Sequence, residues 1–542
     1  MHINIAFSGP AGSGINTAWE LLAEILSNKW YSVWVDKEYA SVIKGNNNTM
    51  FVNISDDNKP CFSKRVQLFI ALDNLAVDKN CGIFSLEKIV NLCTIPSTRK
   101  NVFAFGISLQ QLNLSIEEAI KLLEKKWFLE KDKEWNLTAL NEGYKFWEQE
   151  WSFITDLSAS IWNALSLNFG NRLIADWAAE AWLEFYAAYP MTPASTIINW
   201  VLRHPEVTFF QWEDEIAASM AMLWASYAGK RAMCWTSWWW FALMVESLAF
   251  ANQAEIWWVY ILSQRDWPST GTPTFVAQWD LDIALNAWFG ETKPIVLAPS
   301  TYEETYNMVA WALNWSDCYQ HPVMFLVDKT LSECLMSIDL NKLRSPAINR
   351  WEITAGTEND EYLRYKDTES WISPKARPWT KNQLFIATSY EHTESWASSE
   401  DPLNKVQQME KRARKMDTFI NNEFKNCPAF DIINPEAKKF FITWGINRYA
   451  IEKFISNHTE RWLIVMKVFQ PFDKQLRDFF SANNWRIERL VFVELNQFWS
   501  CENYVRCKCG LVTDEWNNKI DHLRKFSLYP LMIEDIEEKV QN

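Results

Sequence analysis

The chain has 542 residues and carries 67 acidic against 53 basic side chains, a formal net charge of −14. This length is enough for about three domains, each with a core of its own. The acidic balance argues against non-specific binding to nucleic acid, because such binding needs a basic surface that neutralises phosphates. Small molecules and other proteins are therefore the expected partners.

Two residue types are far from their usual frequency: the chain has 33 Trp and only 14 Gly. A soluble protein of this length ordinarily contains roughly 7% glycine, or about 38 residues. We interpret most of the Trp letters as glycine positions, since some bacteria read the UGA codon as glycine where other code tables read tryptophan. The alternative is a chain truly rich in Trp, with indoles in its cores or interfaces. UGG codons at these positions would exclude the first interpretation.

Local contexts favour the glycine interpretation. Trp30 follows a helical stretch, where a left-handed glycine cap is expected. Trp267 lies in a segment that forms a turn only if this position is small. The run Trp238, Trp239 and Trp240 fits neither helical nor strand periodicity. With indoles in place, we expect backbone strain, splayed side chains or a displaced loop at this run.

The first segment begins with a predicted strand over residues 3–7, a loop containing Gly9, Gly12 and Gly14, and a helix through residue 25. This βα unit is typical of Rossmann-like folds. Its loop leaves backbone amides free at a helix N-terminus, which suits an anion, although such loops also serve only to pack a helix on a sheet. A charged helical stretch over residues 118–150 closes the segment.

A second α/β region runs from about residue 170 to 328, with predicted strands over 257–262 and 323–327. The apolar stretch 235–262 resembles a membrane span in length. We expect buried helix and strand there instead, because the stretch is interrupted by four polar residues, Glu246, Asn252, Gln253 and Glu255. No membrane partner is predicted.

The composition becomes polar over residues 343–435, which predicts an extended connection that ends in a basic helix around 411–415. A last α/β domain follows, with predicted strands over 440–443, 463–468 and 490–494. His392, which lies beside acids in the connection, is expected to be solvated or structural rather than a base or a ligand.

The ten cysteines are scattered along the chain. The only close pair, Cys507 and Cys509, lacks the spacing of a zinc or iron–sulfur site, so we expect no metal in this chain. Reduced thiols in a cytoplasmic protein are the expected state. The N-terminus lacks a basic segment and reads as a strand, so no signal peptide is predicted.

Four motifs follow one another in the second region. They are Tyr-Pro-Met-Thr-Pro at 189–193, Glu-Asp-Glu-Ile-Ala-Ala at 213–218, Thr-Ser-Trp-Trp-Trp-Phe at 236–241 and Gln-Arg-Asp-Trp-Pro-Ser-Thr-Gly at 264–271. Together they resemble the alpha subunit of the 2-oxoacid:ferredoxin oxidoreductases, in the fused form with the gamma domain at its N-terminus. The Trp letters stand where this family generally has glycine or proline. The resemblance covers nearly the whole chain, through strings at 38–45, 389–394 and 493–496.

The resemblance implies an α/β fold in several parts. A Rossmann-like gamma domain is expected over residues 1–166 and the pyrimidine-binding domain of thiamine-diphosphate enzymes over 167–345. An extended connection over 346–435 then leads to a transketolase C-terminal-like domain over 436–542.

Enzymes of this family use thiamine diphosphate to decarboxylate a 2-oxoacid oxidatively, pass the electrons through iron–sulfur clusters to ferredoxin, and form an acyl-coenzyme A. The resemblance implies this reaction here, with 2-oxoglutarate as the favoured substrate. This sequence has neither cluster cysteines nor a Gly-Asp-Gly motif with a downstream Asn for the diphosphate. The resemblance therefore implies that a beta subunit supplies Mg²⁺, the diphosphate site and a [4Fe–4S] cluster, and that this chain alone is inactive. The alternative is a non-catalytic assembly or binding subunit with a transketolase-like fold.

Three residues are predicted to be catalytic on the strength of the resemblance. Glu213 would hydrogen-bond the aminopyrimidine and favour the imino tautomer that removes the thiazolium proton; alternatively it is an exposed acid at a helix start. Arg265 would anchor the substrate carboxylate, or else pair with Asp266 at the surface. Thr192 would donate its hydroxyl to a substrate oxygen, a role compatible with a helix cap.

The predicted contacts to the cofactor are Tyr189, Pro190, Glu213, Ser237, Trp238, Trp239, Trp240 and Phe241. Glycines at 238–240 would let the main chain approach the pyrimidine where a side chain could not fit. Two departures from the family pattern bear on substrate identity rather than reaction class: Phe289 stands where histidine is common, and Lys375 stands where arginine is usual.

Overall fold

The computed structural model describes residues 1–541 except 40–46, 58–60, 81–82, 97–98, 127–129, 147–152, 160–164, 192, 269–271, 273, 288, 291–292, 345, 352, 355–360 and 459. For residues 77–79, 130–132 and 238–239 it describes the backbone alone. The described residues form three sheets, of seven, seven and five strands.

The helices and strands are as follows in chain order. The first part contains β1 (His2–Pro10), α1 (Ile15–Asn28), β2 (Ser32–Glu38), β3 (Asn47–Ser55), β4 (Arg65–Ala71), α2 (Asn74–Asn80), β5 (Ser85–Asn91), α3 (Lys100–Gln111), α4 (Ile116–Lys126) and α5 (Glu130–Lys145). The middle part contains β6 (Leu165–Phe169), α6 (Gly170–Glu180), β7 (Phe185–Ala188), α7 (Ser195–Val201), β8 (Thr208–Gln211), α8 (Glu215–Tyr227), β9 (Ala232–Thr236), α9 (Val245–Gln253), β10 (Trp258–Gln264), α10 (Leu281–Asn286), β11 (Ile295–Leu297), α11 (Tyr302–Tyr319), β12 (Pro322–Asp328), α12 (Lys329–Glu333) and β13 (Leu335–Asp339). The last part contains α13 (Pro402–Glu423), β14 (Phe430–Ile433), β15 (Lys439–Trp444), α14 (Asn447–Ile455), β16 (Arg461–Met466), β17 (Val468–Gln470), α15 (Lys474–Asn483), β18 (Arg489–Glu494), α16 (Ser500–Cys509), α17 (Asp514–Asn517), β19 (Ile520–Arg524) and α18 (Ile533–Gln541).

The first sheet has the order β5-β4-β1-β3-β2-β13-β6. Its last two strands come from the second region: β13 pairs antiparallel with both β2 and β6. Ser337 on β13 adds a side-chain contact, since its Oγ accepts a hydrogen bond of 2.9 Å from the Val33 amide. The predicted boundary at residue 166 therefore falls inside β6, and the first sheet is completed by a much later segment.

The second sheet has the order β17-β11-β12-β10-β9-β7-β8. All its strand pairs are parallel except that of β17 with β11. The central strands β10 and β12 are buried along their whole length, as expected for a parallel sheet covered on both faces. The carboxyl ends of β7, β8, β9 and β10 consequently meet at one edge of this sheet.

The third sheet has the order β14-β16-β15-β18-β19, and Gln278 attaches it to the second region. The Gln278 amide nitrogen donates to the carbonyl of Trp444, at 3.0 Å, and its amide oxygen accepts from the Leu495 amide, also at 3.0 Å. Its backbone N–H donates to the carbonyl of Leu495, at 2.9 Å. Gly445 approaches so closely that a Cβ there would lie 2.2 Å from a carboxylate oxygen of Asp328, so the domain contact requires glycine at 445.

Most of the predicted elements are confirmed. The strand over 3–7 is part of β1 and the strand over 323–327 is part of β12. The basic helix around 411–415 lies within α13. No helix in the described ranges is long and apolar enough to cross a membrane, and the stretch 235–262 forms buried strand and helix as predicted.

The connection over 346–435 is predicted to be extended, but it wraps tightly around the second region through buried ion pairs. Glu255 is fully buried and its two carboxylate oxygens accept from Lys411, at 2.6 Å, and Lys415, at 2.5 Å. Burial by itself raises the pKa of a carboxyl, but these two ammonium groups and Arg364 hold the pKa of Glu255 well below its ordinary value. A second buried pair joins Lys375 to Asp317. The polar composition of the connection therefore reflects buried salt bridges rather than a solvated linker.

We expect Glu255→Gln to lower the free energy of unfolding by about 3–5 kcal/mol, because the change leaves two buried ammonium groups without a counter-charge. The matched control is Glu410→Gln, which breaks an exposed pair with Arg414 on the same helix and should cost at most about 0.5 kcal/mol. Urea unfolding of both variants measures the difference. Equal effects would show that the buried pair does not hold the connection in place.

Six of the tryptophans that the structure describes have a left-handed backbone, a conformation that favours glycine. They are Trp30, Trp182, Trp351, Trp371, Trp396 and Trp499, with φ between 58° and 80°. Trp30 and Trp182 each follow the end of a helix, and the next residue donates its amide back to the helix: Tyr31 to the carbonyl of Leu26, and Leu183 to that of Ala178. This is the hydrogen-bond pattern of a glycine-capped helix end, as predicted at Trp30.

Buried indole nitrogens without hydrogen-bond partners also indicate positions that favour glycine. Tyr and Trp usually find a hydrogen-bond partner for their polar group when buried. The indole nitrogens of five buried or half-buried Trp residues have none among the described atoms: Trp34, Trp177, Trp212, Trp351 and Trp444. By contrast, Trp315 is buried and donates to Glu423 at 2.8 Å, which is the environment expected of a genuine tryptophan.

Candidate functional site

The four sequence motifs come together at the carboxyl edge of the second sheet. Tyr189 directly follows β7, Glu213 lies two residues after β8, Ser237 directly follows β9 and Arg265 directly follows β10. Ligands bind at this edge in open parallel α/β sheets. The structure therefore brings three of the predicted loops and the acidic motif to one place, although they are spread over 80 residues of sequence.

Glu213 lies between β8 and α8. Its side chain is exposed and precedes α8. Asp214 caps the helix, since its carboxylate accepts from the Ala217 amide at 2.7 Å. Glu215, the first residue of the helix, is only 3% exposed, and its Oε1 has no hydrogen-bond partner among the described atoms. Burial, together with the nearby Asp214, raises the pKa of Glu215.

Glu215 is thus a buried carboxyl with a free oxygen, which is a costly arrangement unless a further group hydrogen-bonds to it. The helix that carries it packs against β7, β9 and the turn after β9. A ring nitrogen of a bound aminopyrimidine is the kind of group that such an oxygen can bind. The residues present fit the cofactor implied by the resemblance, and the acid that fits it is Glu215 rather than Glu213.

Helical periodicity is the sequence signal that distinguishes the two acids. The buried residues of α8 include Ala218, Ser219 and Met222, which share the face of Glu215 at spacings of three, four and seven residues. Glu213 lies outside the helix and has no place on that face.

Arg265 is buried, with 6% of its surface exposed. Among the described residues it forms no ion pair, and its Nε has no hydrogen-bond partner. The alternative of a surface arginine paired with Asp266 is therefore wrong: Asp266 instead accepts a hydrogen bond of 3.4 Å from the indole of Trp279. A buried guanidinium without a carboxylate partner is prepared to bind an anionic ligand.

The turn after β9 is a 3-10 helix, Trp238–Met244. Ser237 is buried and donates its hydroxyl to the carbonyl of Ser263 at 2.8 Å, and Phe241 is buried against Tyr260. Indoles at 238–240 are predicted to strain the backbone of this turn, but none of its described residues has a positive φ. The side chains of Trp238 and Trp239 lie outside what the structure describes, while Trp240 is half-buried.

The loop after β7 is described only in part. Tyr189 is 37% exposed, and Pro190 is half-buried. Thr192 lies outside the described residues, so its predicted contact to the substrate stays a prediction. Residues 40–45 of the gamma-domain motif also lie outside them.

The glycine loop after β1 has a clear packing role. Gly14 has a φ of 77°, and a Cβ there would lie 2.6 Å from the Asn101 side chain. A Cβ at Gly9 would lie 2.7 Å from that of Leu72. These contacts account for two of the three glycines as close packing of α1 and its neighbours, and phosphate binding stays a prediction.

A cavity of about 360 Å³ lies between the first sheet and the second region. Its polar lining includes Lys37, Tyr39, Asn171, Thr196, Arg203 and Glu333. Burial lowers the pKa of Lys37, and its ammonium lies over the ring of Phe169 at 4.4 Å. Tyr39 donates to Glu333 at 2.6 Å. The lining thus combines these charged and polar side chains with the aromatic rings of Phe169 and Trp200.

Three further sequence expectations concern single side chains. His392 is fully buried, stacks on Tyr365 with 3.6 Å between ring centroids, and contacts the Gln253 carbonyl at 3.2 Å; it is structural and not solvated. Lys375 pairs with buried Asp317, while Phe289 is 66% exposed.

Comparison with known proteins identifies two family models in this chain. Residues 177–412 match the model described as "Pyruvate flavodoxin/ferredoxin oxidoreductase, thiamine diP-bdg". Residues 4–90 match "Pyruvate ferredoxin/flavodoxin oxidoreductase". The first range contains all four motifs of the second sheet.

Relatives match along most of the chain. The 2-oxoacid:ferredoxin oxidoreductase 1, subunit alpha, of Sulfurisphaera tokodaii is 25% identical over 88% of this chain and 88% of its own length. The 2-oxoglutarate synthase subunit of Methanocaldococcus jannaschii is 37% identical over 30% of this chain and 44% of its own length. The solved 2-oxoglutarate:ferredoxin oxidoreductase of Magnetococcus marinus has a similar fold, with a TM-score of 0.87 and 24% identity over 100% of this chain and 99% of that one. These matches confirm the predicted α/β fold class.

Proposed function

Because this chain belongs to the 2-oxoacid:ferredoxin oxidoreductases and is a subunit of such an oxidoreductase, we propose that it is the alpha subunit that binds the pyrimidine of thiamine diphosphate. The complex would convert a 2-oxoacid and coenzyme A to an acyl-coenzyme A, carbon dioxide and reduced ferredoxin. The observation that carries the proposal is the buried carboxyl of Glu215, whose Oε1 has no hydrogen-bond partner among the described atoms, at the same edge of the second sheet as buried Arg265. In this proposal residues 1–166 are the gamma domain, 167–345 the pyrimidine-binding domain and 436–542 the transketolase C-terminal-like domain, in a cytoplasmic protein.

We propose Glu215, in place of Glu213, as the acid that activates the cofactor. When bound, thiamine diphosphate supplies a thiazolium carbon that becomes a nucleophile on losing its proton. Burial raises the pKa of the Glu215 carboxyl, and a raised pKa favours sharing a proton with a ring nitrogen of the pyrimidine. Glu213 is exposed to solvent, so its carboxyl would have to lose its hydration before it could share a proton with the pyrimidine.

For substrate binding we propose Arg265 as the anchor of the 2-oxoacid carboxylate. A guanidinium presents a planar pair of donors that matches a carboxylate, and burial strengthens the attraction by excluding water. Thr192, on the neighbouring loop, is proposed to donate to a substrate oxygen. The relatives with 2-oxoglutarate in their names favour a dicarboxylate as substrate.

A beta subunit is proposed to cover the exposed apolar face of α8. Ile216 and Met220, one turn apart, are 51% and 43% exposed, and Ile386 beside them is 54% exposed. Exposed apolar groups clustered in this way mark an interaction surface. The same face adjoins Glu215, so a partner seated there would close the cofactor site and supply the diphosphate groups, Mg²⁺ and cluster for which we found no motif in this sequence.

The cavity between Lys37 and Arg203 supports a proposal for coenzyme A. The phosphates of coenzyme A require cations, and the thiol of coenzyme A must reach the carboxyl edge of the second sheet. The cavity has cations in its lining, and Glu333 at its wall is the last residue of α12, which starts where β12 ends. Ferredoxin, as the acceptor of the electrons, is proposed to bind the assembled complex.

We further propose that most tryptophan letters of this sequence are glycine in the native protein, encoded by UGA. The six left-handed tryptophans and the indole nitrogens without partners support this proposal. At 238–240, glycine would leave room for the pyrimidine beside the backbone of the turn.

The function is tested with the purified alpha and beta subunits. We expect viologen reduction when thiamine diphosphate, Mg²⁺, coenzyme A and a 2-oxoacid are present together, with the highest rate for 2-oxoglutarate. The alpha subunit alone should give none. An active complex that does not require thiamine diphosphate would contradict the proposal, and a complex that assembles but reduces no dye with any 2-oxoacid would favour a non-catalytic assembly subunit.

A further inference from the structure

Asp280 is a buried carboxyl that the proposed reaction does not use. It is 2% exposed, caps no helix amide through its side chain, and its Oδ2 has no hydrogen-bond partner among the described atoms. It lies two residues after Gln278, which is hydrogen-bonded to the C-terminal domain through both its side chain and its backbone. The backbone around Asp280 is therefore held in place from two sides.

The segment that carries Asp280 lies beside the segment that carries Arg265, because the indole of Trp279 donates a hydrogen bond of 3.4 Å to Asp266. Burial raises the pKa of Asp280, and the positive charge of Arg265 lowers it. Burial likewise lowers the pKa of Arg265, and the groups that raise it are Asp280, Tyr39 and Glu333. Yet no described carboxylate lies within 4 Å of Arg265, and its Nε and the Oδ2 of Asp280 both lack partners. The two charged groups therefore attract each other without forming a salt bridge.

We propose that Asp280 is a positioning residue for the substrate: it orients the Arg265 guanidinium, and it takes up one proton from solvent when a substrate carboxylate binds that guanidinium. This inference rests on the proposed role of Arg265. It adds a residue that makes substrate affinity depend on pH, in a segment fixed by the C-terminal domain.

The direction of the pH dependence follows from the charges. Burial raises the pKa of Asp280 to about 8, and the positive Arg265 alone lowers it from a still higher value. A bound carboxylate neutralises Arg265 and brings a negative charge close to Asp280, so the pKa of Asp280 rises further in the complex with substrate. Substrate thus binds more tightly to the protonated form. Above the pKa of the free enzyme, affinity falls as pH rises, by up to about tenfold per pH unit.

The test measures KM and kcat of the assembled alpha–beta complex for the 2-oxoacid from pH 6.5 to 9.5. For the unchanged protein we expect a constant KM below about pH 8 and a rise toward tenfold per pH unit above it. Asp280→Asn imitates the protonated acid, so we expect a KM close to the unchanged value at pH 7 and no rise at high pH. Calorimetry at pH 9 in two buffers of different ionisation enthalpy should show uptake of one proton per bound 2-oxoacid, and none in the variant.

Two further variants separate the possible failures. Arg265→Gln should raise KM at every pH by about tenfold or more, the effect of losing a charged hydrogen bond; an unchanged KM would remove Arg265 as the anchor and with it the proposed substrate site. If Arg265→Gln raises KM but Asp280→Asn keeps the pH dependence of the unchanged protein, only the role of Asp280 is overturned. Asp280→Ala removes the whole polar side chain, whereas Asp280→Asn removes only its charge. If Asp280 orients Arg265, the alanine variant should have the higher KM at pH 7. Equal KM values for the two variants would contradict this orienting role.

Discussion

Glu215→Gln should lower kcat of the alpha–beta complex by about 10³-fold, whereas Glu213→Gln should leave it within about twofold. Positioned acid–base groups contribute typically 10²–10⁴-fold to catalysis. Of these two acids, Glu215 is buried and has an oxygen without a hydrogen-bond partner among the described atoms, whereas Glu213 is exposed. Glutamine keeps the size of the side chain but cannot exchange a proton with the pyrimidine. The measurement is viologen reduction at saturating thiamine diphosphate, coenzyme A and 2-oxoacid.

The two acids are good controls for each other, since they have the same side chain and lie two residues apart. A structural effect of the Glu215 change would appear as altered assembly, so gel filtration with the beta subunit accompanies the kinetics. Exchange of the thiazolium proton of bound cofactor with deuterium gives a direct readout, and we expect it to be slowed in Glu215→Gln alone. A large loss in Glu213→Gln with full activity in Glu215→Gln would return the role to the residue that the motif first indicated.

The second large effect concerns positions 238–240. A chain made with glycine at all three should form an active complex with the beta subunit, and a chain made with tryptophan there should bind thiamine diphosphate at least about tenfold more weakly. The physical reason is steric: three indoles next to the pyrimidine would occupy space that bare backbone leaves open. Peptide mass spectrometry of the native protein decides the identity of the residues directly, and indole recovered at these positions in an active complex would refute the proposal.

Single positions elsewhere provide the matched control. Trp182 is 59% exposed with a φ of 62°, so Trp182→Gly should stabilise the fold by about 1 kcal/mol through relief of the left-handed strain. Trp315 is buried and hydrogen-bonded to Glu423, so Trp315→Gly should cost at least about 3 kcal/mol. Urea unfolding of both variants tests whether backbone geometry separates the two kinds of tryptophan.

Local patterns in the sequence predicted much of this fold. The predicted strands over 257–262 and 323–327 are continuous apolar runs. Each of the four motifs begins within two residues of a strand end, so their meeting at one edge follows from the parallel arrangement. The pairing of β6 and β13 with the first sheet could not be predicted in this way, because it joins segments about 170 residues apart along the chain. The choice between Glu213 and Glu215, two residues apart, depends on where the helix begins, and helix starts are hard to locate within two residues.

The buried salt bridges of the connection show a second limit. A segment rich in charge and proline usually indicates a solvated linker, since isolated charges do not enter cores. Here Lys411 and Lys415 are buried because Glu255 faces them from another part of the chain. The composition of a segment shows how many charged residues it has. It does not show whether residues of opposite charge from another part of the chain lie next to them in the folded protein.

The completion of the first sheet by β13 has a consequence for biosynthesis. The N-terminal part of the chain leaves the ribosome with the hydrogen-bonding edge of β2 uncovered, and it stays uncovered until residues 335–339 have been translated. Open strand edges are sites of wrong pairing between nascent chains. The first sheet of this protein thus begins to form early in synthesis and is completed only after more than 330 residues have been made, so its open edge is exposed to wrong pairing during most of that time.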